Sequence, residues 1–452
     1  MIRTSSLFHP KSRLLRAMLM LALIASSPYV LRAADGALDF TFGKEGKVRT
    51  DFVDGSYDVG FGVAVQADGK TVAVGTAVSP VPLFAVARYN RDGSLDQTFG
   101  DGGKVVTAFR DSDFAMAVAV QRNGKIVVAG LSMSADSLQH PDAFAVARYN
   151  RDGSLDLTFG DGGKVLTTFP NAYSQARAIA IQADGRIVVV GQAVGPSGFT
   201  ADIAVARYAV NGALDASFGS GGTVVVSVDE IDDARAVAVP FDGRIVIAGS
   251  TRPLSSSEDF AVLRLNRDGS LDQTFGAGGI VRTDPTGQQD VATGVMIQRN
   301  GKIVVAGSAT GAKSLGFGDA VLVRYDRDGS LDSTFGTAGI AVADLAGFDD
   351  VMAAALQADG KIVVGSTSGG LITVARFNTD GSADSTFGSN GVAQADFATP
   401  DEDPFDSLSA LAIQPDGRIV AAGTTWNYFT TGESNFALAR FEASASAPPL
   451  PR

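Results

Sequence analysis

The sequence predicts an all-β fold built from one repeated unit, and three observations support this prediction. A nine-residue motif, first present as DGALDFTFG at 35–43, recurs six more times at intervals of 52 to 60 residues. Each interval also contains a hairpin such as AVAVQRNGKIVVAG (117–130) and a short strand such as FAVARYN (84–90). After the first 34 residues, no stretch of ten or more residues has helical periodicity. Such a period indicates a repeat architecture.

Each unit contains four short β segments, which in the second complete unit lie near 116–121, 125–130, 144–149 and 163–169. Their Val, Ile, Ala and Phe content and their Asn-Gly or Asp-Gly turns are typical of antiparallel strands. Segments such as KIVVAG are apolar at consecutive positions, which indicates a sheet covered on both faces. We therefore predict a single seven-bladed β-propeller of four-stranded blades at 34–441. A linear solenoid is the alternative, but it would normally carry polar capping repeats, and the sequence contains none.

The order of the strands predicts how the ring closes. The AVAV-type strand has the smallest side chains and is placed nearest the axis, followed by the KIVVAG, FAVARYN and KVVTAF types. On this order the chain begins with an outer strand (47–52) and ends with a third strand (436–441). The N-terminal outer strand is free to complete the last blade, which removes two unpaired sheet edges.

Recurring pairs of opposite charge support this closure. In each unit an Arg precedes an Asp by eight residues, as in Arg88 and Asp96 or Arg148 and Asp156. Two further residues, Arg440 and Asp39, lack such a partner in the sequence and become a pair if the ring closes. The alternative is that each Arg donates a hydrogen bond to a loop carbonyl.

The motifs D-G-S-L-D-x-T-F-G, A-V-A-V-Q-x-D-G-K-I-V-V-A-G and F-A-V-A-R-Y-N closely resemble those of the delta-60 repeat family. The resemblance covers about residues 35–441, with departures at Gly365, Ser366 and Ala383. It implies a β-propeller-type fold in an exported bacterial protein. It implies no particular activity and no catalytic residues.

The two ends of the chain are predicted to lie outside the propeller. Residues 1–33 have the layout of a secretory signal peptide: a basic start, an apolar run at 17–25 and a small residue, Ala33, for cleavage. A membrane anchor is disfavoured because the apolar run is about half of the ~20 residues that a spanning helix needs. The tail at 442–452 is small, polar and Pro-rich, which indicates flexibility. We expect a periplasmic or extracellular protein with no membrane insertion after cleavage.

Composition excludes several classes of function. The chain has no Cys and two His, so disulfides, thiolate metal sites, His-based zinc sites and a Ser-His-Asp triad are disfavoured. A formal charge of −12 disfavours nucleic-acid binding. The turn at 90–96 is similar to part of a calcium loop, but Arg88 stands where the first ligand would be, and a turn capped by Asp is favoured. We expect no cofactor, no metal site and a monomer, with calcium as the alternative.

Two sets of residues are candidates for binding. Six acids share one position in the repeat, where an outer strand crosses to the next inner strand near the channel mouth. Each carboxylate either caps backbone N–H groups of the crossing or contributes to a negative ring that binds cations or basic groups. The six are Asp58, Asp113, Asp232, Asp290, Asp349 and Asp406.

The second set lies in the loops between second and third strands, which vary from copy to copy and open on one face. Binding residues on rigid scaffolds tend to lie in such loops. Trp426, the only Trp, stands with Tyr428 and Phe429 in the segment 424–435. This cluster is either a recognition patch or a packed loop core.

These features favour an exported, non-enzymatic scaffold that presents its loop-rich face to a protein or glycan partner. The alternative is an exported carbohydrate-active lyase or hydrolase that uses the carboxylates at the channel mouth, because paired acids can cleave glycosidic bonds. An evenly repeated ring of acids suits a symmetric role better than one asymmetric active site.

Overall fold

The structure is a computed structural model of the 452-residue chain. It describes residues 34–53, 55–78, 80–136, 141–170, 172–310, 318–345, 350–399, 402, 404–427 and 432–443. The predicted signal peptide at 1–33 and the candidate residues Asp349, Tyr428 and Phe429 lie outside the described residues. The described residues contain no helix long and apolar enough to span a membrane.

The described residues form twenty-eight β-strands that repeat in groups of four, named here inner, second, third and outer. The inner strands are β2 (Asp58–Val65), β6 (Ser112–Val120), β10 (Tyr173–Ile181), β14 (Ile231–Ala238), β18 (Asp290–Ile297), β22 (Asp350–Leu356) and β26 (Phe405–Ile413). The second strands are β3 (Thr71–Val78), β7 (Ile126–Met133), β11 (Ile187–Val194), β15 (Ile245–Arg252), β19 (Ile303–Thr310), β23 (Ile362–Ser368) and β27 (Ile419–Trp426).

The third strands are β4 (Pro82–Tyr89), β8 (Ala143–Tyr149), β12 (Ala201–Tyr208), β16 (Asp259–Leu265), β20 (Gly318–Tyr325), β24 (Leu371–Phe377) and β28 (Ser434–Phe441). The outer strands are β1 (Lys47–Thr50), β5 (Lys104–Thr107), β9 (Lys164–Thr167), β13 (Thr223–Val226), β17 (Ile280–Thr283), β21 (Ile340–Ala343) and β25 (Val392–Ala395).

Antiparallel pairing joins each group in the order inner, second, third, outer, which is the order predicted from side-chain size. Five groups form separate four-stranded sheets, and a single parallel bridge from Ala201 to Ile231 joins the other two into one eight-stranded sheet. In the sheet that contains β26, β27 and β28, the outer position is taken by β1 from the N-terminus. Its register places Lys47 opposite Ala439 and Thr50 opposite Phe436.

The inner strands lie beside one another from unit to unit, and β2 packs against both β6 and β26. We call the side where they gather the inner surface. Small residues permit this close approach. A Cβ added at Gly294 in β18 would lie 2.8 Å from the Cβ of Ala354 in β22, the inner strand of the next group. The sequence prediction that small side chains mark the inner strand has this physical basis.

The hydrophobic core lies between neighbouring sheets. Second and third strands are buried on both faces, as their consecutive apolar residues predict. One cluster combines Val74 and Phe84 with Ile126 and Ala145 of the next unit. The same cluster contains the fully buried Phe99, from the repeated DGSLDxTFG motif, so this ring packs between units.

Two predicted boundaries are wrong. The inner strand β6 begins at Ser112 rather than near 116, because the strand continues across a β-bulge between Ala115 and Ala117. The flexible tail does not begin at Glu442. Glu442 and Ala443 are buried, and the backbone N–H of Glu442 donates to the carbonyl of Ala37, which holds this segment against the N-terminal part of the fold.

Candidate functional site

The predicted Arg–Asp pairs are ion pairs in the structure. Arg88 Nε lies 2.7 Å from Asp96 Oδ2, and Lys70 Nζ lies 2.6 Å from the same oxygen. Burial alone would raise the pKa of Asp96, but hydrogen bonds from Lys70 and Thr98 and the charge of Arg88 lower it well below its usual value. The other pairs are Arg148–Asp156, Arg207–Asp215, Arg264–Asp272, Arg324–Asp332, Arg376–Asp384 and Arg440–Asp39.

Six of these arginines also donate from Nη1 to a backbone carbonyl of another unit, so both interpretations apply to them, whereas Arg376 Nη2 donates to Asp35 Oδ2 at 2.9 Å. Arg88 donates from Nη1 to the backbone carbonyl of Arg151 in the following unit, and its guanidinium lies 4.5 Å from the ring centroid of Phe99. Arg440 does the same with the carbonyl of Arg91 and the ring of Phe42. These contacts explain why the motif repeats so closely: it serves the scaffold.

The turns on this side use their carboxylates locally. Asp92 Oδ1 accepts hydrogen bonds from the backbone N–H of Ser94 at 3.0 Å and from its hydroxyl at 2.6 Å. Asp96 Oδ2 is held by Arg88 and Lys70, so two cationic side chains already occupy this carboxylate. The calcium-loop alternative therefore does not fit this turn.

Five of the six candidate acids of the predicted ring are described, and we call them the capping aspartates. Each is the first or second residue of an inner strand and has 0% exposed surface, so they do not form an exposed ring. Their carboxylates accept hydrogen bonds from groups of the preceding crossing, for example from Phe52 N–H to Asp58 Oδ2 at 2.6 Å and from Phe109 N–H to Asp113 Oδ2 at 2.6 Å. The five are Asp58, Asp113, Asp232, Asp290 and Asp406.

Burial raises the pKa of four of these acids, Asp58, Asp232, Asp290 and Asp406. It raises the pKa of Asp58 and Asp406 to about 6. For Asp290 it raises the pKa to about 7, and the neighbouring Asp284 adds to the increase. The prediction placed these residues near the surface because the inner strands were expected to start several residues later.

One acidic cluster lies at the start of β18. Carboxylate oxygens of Asp259, Asp284 and Asp290 lie within 4.8 Å of one another. Arg282 donates to Asp259 at 3.1 Å, and Asp284 accepts from the backbone N–H of Thr286 at 3.2 Å. These partners engage two of the three acids and account for their positions.

An aromatic patch lies on the loop-rich side, the side where second strands end and third strands begin. Phe405 is directly opposite Trp426 in the β26–β27 pair, and Trp426 is opposite Ser434 in the β27–β28 pair. Tyr57 forms a parallel bridge with Ser434. Phe405 and Tyr57 are 48% and 53% exposed, and Trp426 is half-buried. The sequence analysis placed Trp426 in a loop, but in the structure it is the last residue of strand β27.

The neighbouring hairpin leaves the aromatic patch open. Strands β23 and β24 are connected by two residues only, Gly369 and Gly370, both with positive φ. A Cβ added at Gly370 would lie 3.1 Å from the ring of Phe405. Other copies of this connection are longer, such as 134–142 between β7 and β8.

Two buried polar atoms accompany the aromatic patch. Asn427 Oδ1 and Ser434 Oγ have no hydrogen-bond partner in the described part of the chain. Unpaired buried polar groups are costly, and each calls for a partner such as a water molecule or a ligand.

Sequence reasoning missed one further group of residues, those at the inner-strand bulges. Every inner strand has a register shift at the same position, and the extra residue is not paired with the second strand. The signal in the sequence was that this position varies while its neighbours repeat. The residues are Phe61, Met116, Arg177, Arg235, Thr293, Met352 and Ser409.

Repeated four-stranded sheets with cores between them define a β-propeller repeat protein. The chain belongs to the family described as a domain of unknown function (DUF5122) beta-propeller, whose model matches residues 66–99, 121–159, 182–218, 242–275, 298–335, 357–387 and 414–445. This match confirms the prediction of a propeller repeat family, while the delta-60 resemblance stays a prediction. No curated protein matches the chain.

Solved structures of similar fold come from several organisms. Virginiamycin B lyase from Staphylococcus aureus has a TM-score of 0.46 and 9% identity, over 87% of this chain and 98% of that chain. A protein from Lactobacillus plantarum has a TM-score of 0.47 and 17% identity, over 75% and 88%. The β-propeller domain of the Trilobed protease from Pyrococcus furiosus has a TM-score of 0.44 and 11% identity, over 89% and 100%. At these identities the likeness concerns the fold alone.

Proposed function

We propose that this chain is an exported, non-enzymatic β-propeller whose loop-rich side binds a glycan or protein partner. The observation that carries the proposal is the aromatic patch of Tyr57, Phe405 and Trp426. Exposed aromatic rings beside buried, unpaired polar atoms are suited to a partner that is apolar on one face and hydrogen-bonding at its edge, as a sugar ring is. Trp and Tyr are also the residues most often dominant in protein recognition.

Export is part of the same proposal. It is supported by the signal-peptide layout of residues 1–33 and by the resemblance of the motifs to delta-60 repeats, which implies an exported protein. The absence of Cys in the sequence means that the protein must be stable outside the cell without disulfides. The contacts between units, including the Arg–Asp pairs, supply an alternative source of stability.

We further propose that the units form a ring of seven blades closed by β1. Three contacts support closure: β1 pairs with β28, β2 packs against β26, and Arg440 Nη2 lies 2.6 Å from Asp39 Oδ2. A closed ring protects the edges of the first and last sheets from pairing with other chains. It also agrees with a monomer.

We do not propose the enzyme alternative. A lyase or hydrolase at the channel mouth would need accessible carboxylates, one of them able to reach a glycosidic oxygen. The capping aspartates are fully buried and hydrogen-bonded to the backbone or to neighbouring hydroxyl groups. No second function is proposed.

A pull-down from cell-surface extract, run beside a panel of immobilised polysaccharides, tests the proposal. The variant Tyr57→Ser/Phe405→Ser removes two half-exposed rings and is expected to fold and to lose partner capture. The matched control, Phe199→Ser/Leu254→Ser, removes two residues of 72% and 61% exposure elsewhere on the loop-rich side and is expected to keep it. Equal capture by both variants and the parent protein would contradict the aromatic patch as the site.

A further inference from the structure

The inner surface is not symmetric, although the backbone there repeats closely. At the bulge position, β10 and β14 carry Arg177 and Arg235, whereas β2, β6 and β22 carry apolar side chains and β18 and β26 carry hydroxyls. A bulge turns its extra residue out of the ladder and is often found beside binding sites. Two neighbouring strands therefore place two guanidinium groups at bulge positions, whereas the other five bulge residues are uncharged.

One carboxylate holds both arginines. Arg177 Nε lies 2.9 Å from Asp233 Oδ1, and Arg235 Nε lies 2.9 Å from Asp233 Oδ2. With its amide oriented to place Oε1 toward Arg177, Gln175 accepts from both terminal nitrogens of that residue at 3.0 and 2.9 Å. The cluster spans two units, because Gln175 and Arg177 belong to β10 while Asp233 and Arg235 belong to β14.

This cluster has more positive charge than it uses. Two guanidinium groups share one carboxylate, which leaves a net charge of +1 in a chain of −12. The side chain of Asp233 is 9% exposed, whereas those of Arg177 and Arg235 are 27% and 34% exposed. The acid thus lies beneath and the guanidinium groups face outward.

The terminal nitrogens of Arg235 are available to a ligand. Only its Nε has a partner among the described residues, which leaves Nη1 and Nη2 free to donate. In the next unit, Thr293 Oγ1 at the same bulge position is buried and also has no partner in the described part of the chain. The planar edge of a guanidinium group matches a carboxylate, which can accept two parallel hydrogen bonds from it.

The rest of the inner surface offers apolar contact. Phe61 and Met116 occupy the bulges of β2 and β6, and β6 packs directly against β10, the strand of Arg177. Met352 in β22 is 44% exposed. A ligand held by its acid group at β10 and β14 would therefore meet thioether and aromatic side chains with its remainder.

We propose that the inner surface binds an organic carboxylate with an apolar body, whose acid group is held by Arg177 and Arg235. Asp233 and Gln175 are positioning residues, which fix the two guanidinium groups side by side. This site is separate from the aromatic patch and does not depend on the partner proposed for the loop-rich side. An inorganic anion lacks the apolar body and is a poorer match.

Isothermal titration of the purified chain with sodium octanoate tests this site, with octanamide and inorganic phosphate as probes of the acid group and the apolar body. We expect octanoate to bind at least about tenfold more tightly than either probe, since hydrogen bonds between two charged groups are the strong ones. Equal binding of octanoate and phosphate would overturn the apolar part, and equal binding of octanoate and octanamide would overturn the role of the arginines.

Variants locate the site. Arg235→Gln is expected to weaken octanoate binding about tenfold or more, while the matched control Arg282→Gln, an exposed arginine paired with Asp229 and Asp259, leaves it unchanged. If Arg235→Gln loses stability instead, Phe61→Ser provides the same test from the apolar side without disturbing Asp233. Loss of stability in Arg235→Gln together with unchanged octanoate binding in Phe61→Ser would mean that the cluster only joins two units, and the proposal would fail.

Discussion

The Arg440–Asp39 ion pair allows closure of the ring to be measured, because an equivalent pair exists within a single unit. Arg440 Nη2 lies 2.6 Å from Asp39 Oδ2, and the two side chains are 4% and 2% exposed. For Arg88 and Asp96 the distance is 2.7 Å and the exposures are 6% and 4%. The two pairs have almost the same surroundings, but one joins residues 401 apart in the chain and the other residues 8 apart.

The expected magnitude follows from burial. Removing one partner of a buried pair leaves an uncompensated charge and typically costs about 3–5 kcal/mol. When its Arg is removed, each Asp retains a second cation: Arg418 lies 3.1 Å from Asp39, and Lys70 lies 2.6 Å from Asp96. The loss of unfolding free energy should therefore be near the lower end of that range. In a double-mutant cycle, residues in contact couple by about 0.5–3 kcal/mol. We expect the same coupling energy for both pairs, within about 0.5 kcal/mol.

The assay is urea unfolding of eight proteins: the parent chain, the single and double alanine variants at Arg440 and Asp39, those at Arg88 and Asp96, and the variant that carries all four changes. The within-unit cycle is the control, since its partners meet whether or not the ring closes. If the Arg440 and Asp39 losses add while the Arg88 and Asp96 losses couple, then the chain ends do not meet in solution and the closed ring is wrong.

Three further predictions concern export, pH and backbone packing. Intact mass of the protein from a secreting bacterial host is expected to show loss of residues 1–33, and full-length chain in the cytoplasm would count against export. Because burial raises the pKa of Asp58, Asp232, Asp290 and Asp406, to about 7 for Asp290, ionising these four acids opposes folding, so the urea midpoint should increase as pH falls from 8 to about 5. Below about pH 4 it should decrease again as the acids of the Arg–Asp pairs become protonated, and Asp290→Asn should flatten the upper part of this profile. Gly130→Ala should lower stability by more than about 1 kcal/mol in urea unfolding, because the added Cβ would lie 1.9 Å from the carbonyl oxygen of Phe114.

Much of the scaffold could be predicted from the sequence, because its physical requirements recur in every unit. Consecutive apolar residues such as those of β7 are needed wherever a strand is covered on both faces, and small residues are needed wherever inner strands crowd together. The Arg88–Asp96 spacing recurs because the same buried contact is made at each junction between units. Because the unit repeats, each of these sequence patterns occurs several times along the chain and can be recognised.

The site residues were harder to predict because their environment depends on how far a strand extends. Asp113 was expected near the channel mouth, but β6 starts before it, and its carboxylate is consequently buried against the backbone N–H of Phe109. The bulge between Ala115 and Ala117 gives no turn or periodicity signal, since a single unpaired residue leaves the apolar pattern almost unchanged. Contact of Arg177 with Asp233 could not be foreseen, because the inner strand β14 was expected to begin after Asp233.

The departures from the repeat are where a specific ligand can be recognised. A contact that every unit makes, such as that between Arg88 and the carbonyl of Arg151, is already used to join units and has no capacity left for a ligand. A ring of identical sites would also give several equal positions and no unique orientation. The units differ on the inner surface, because Arg177 and Arg235 occupy two bulges while other bulges carry apolar residues. They also differ on the loop-rich side, where the short Gly369–Gly370 hairpin lies beside Phe405. We therefore expect any binding by this propeller to involve the positions that the repeat leaves free to vary.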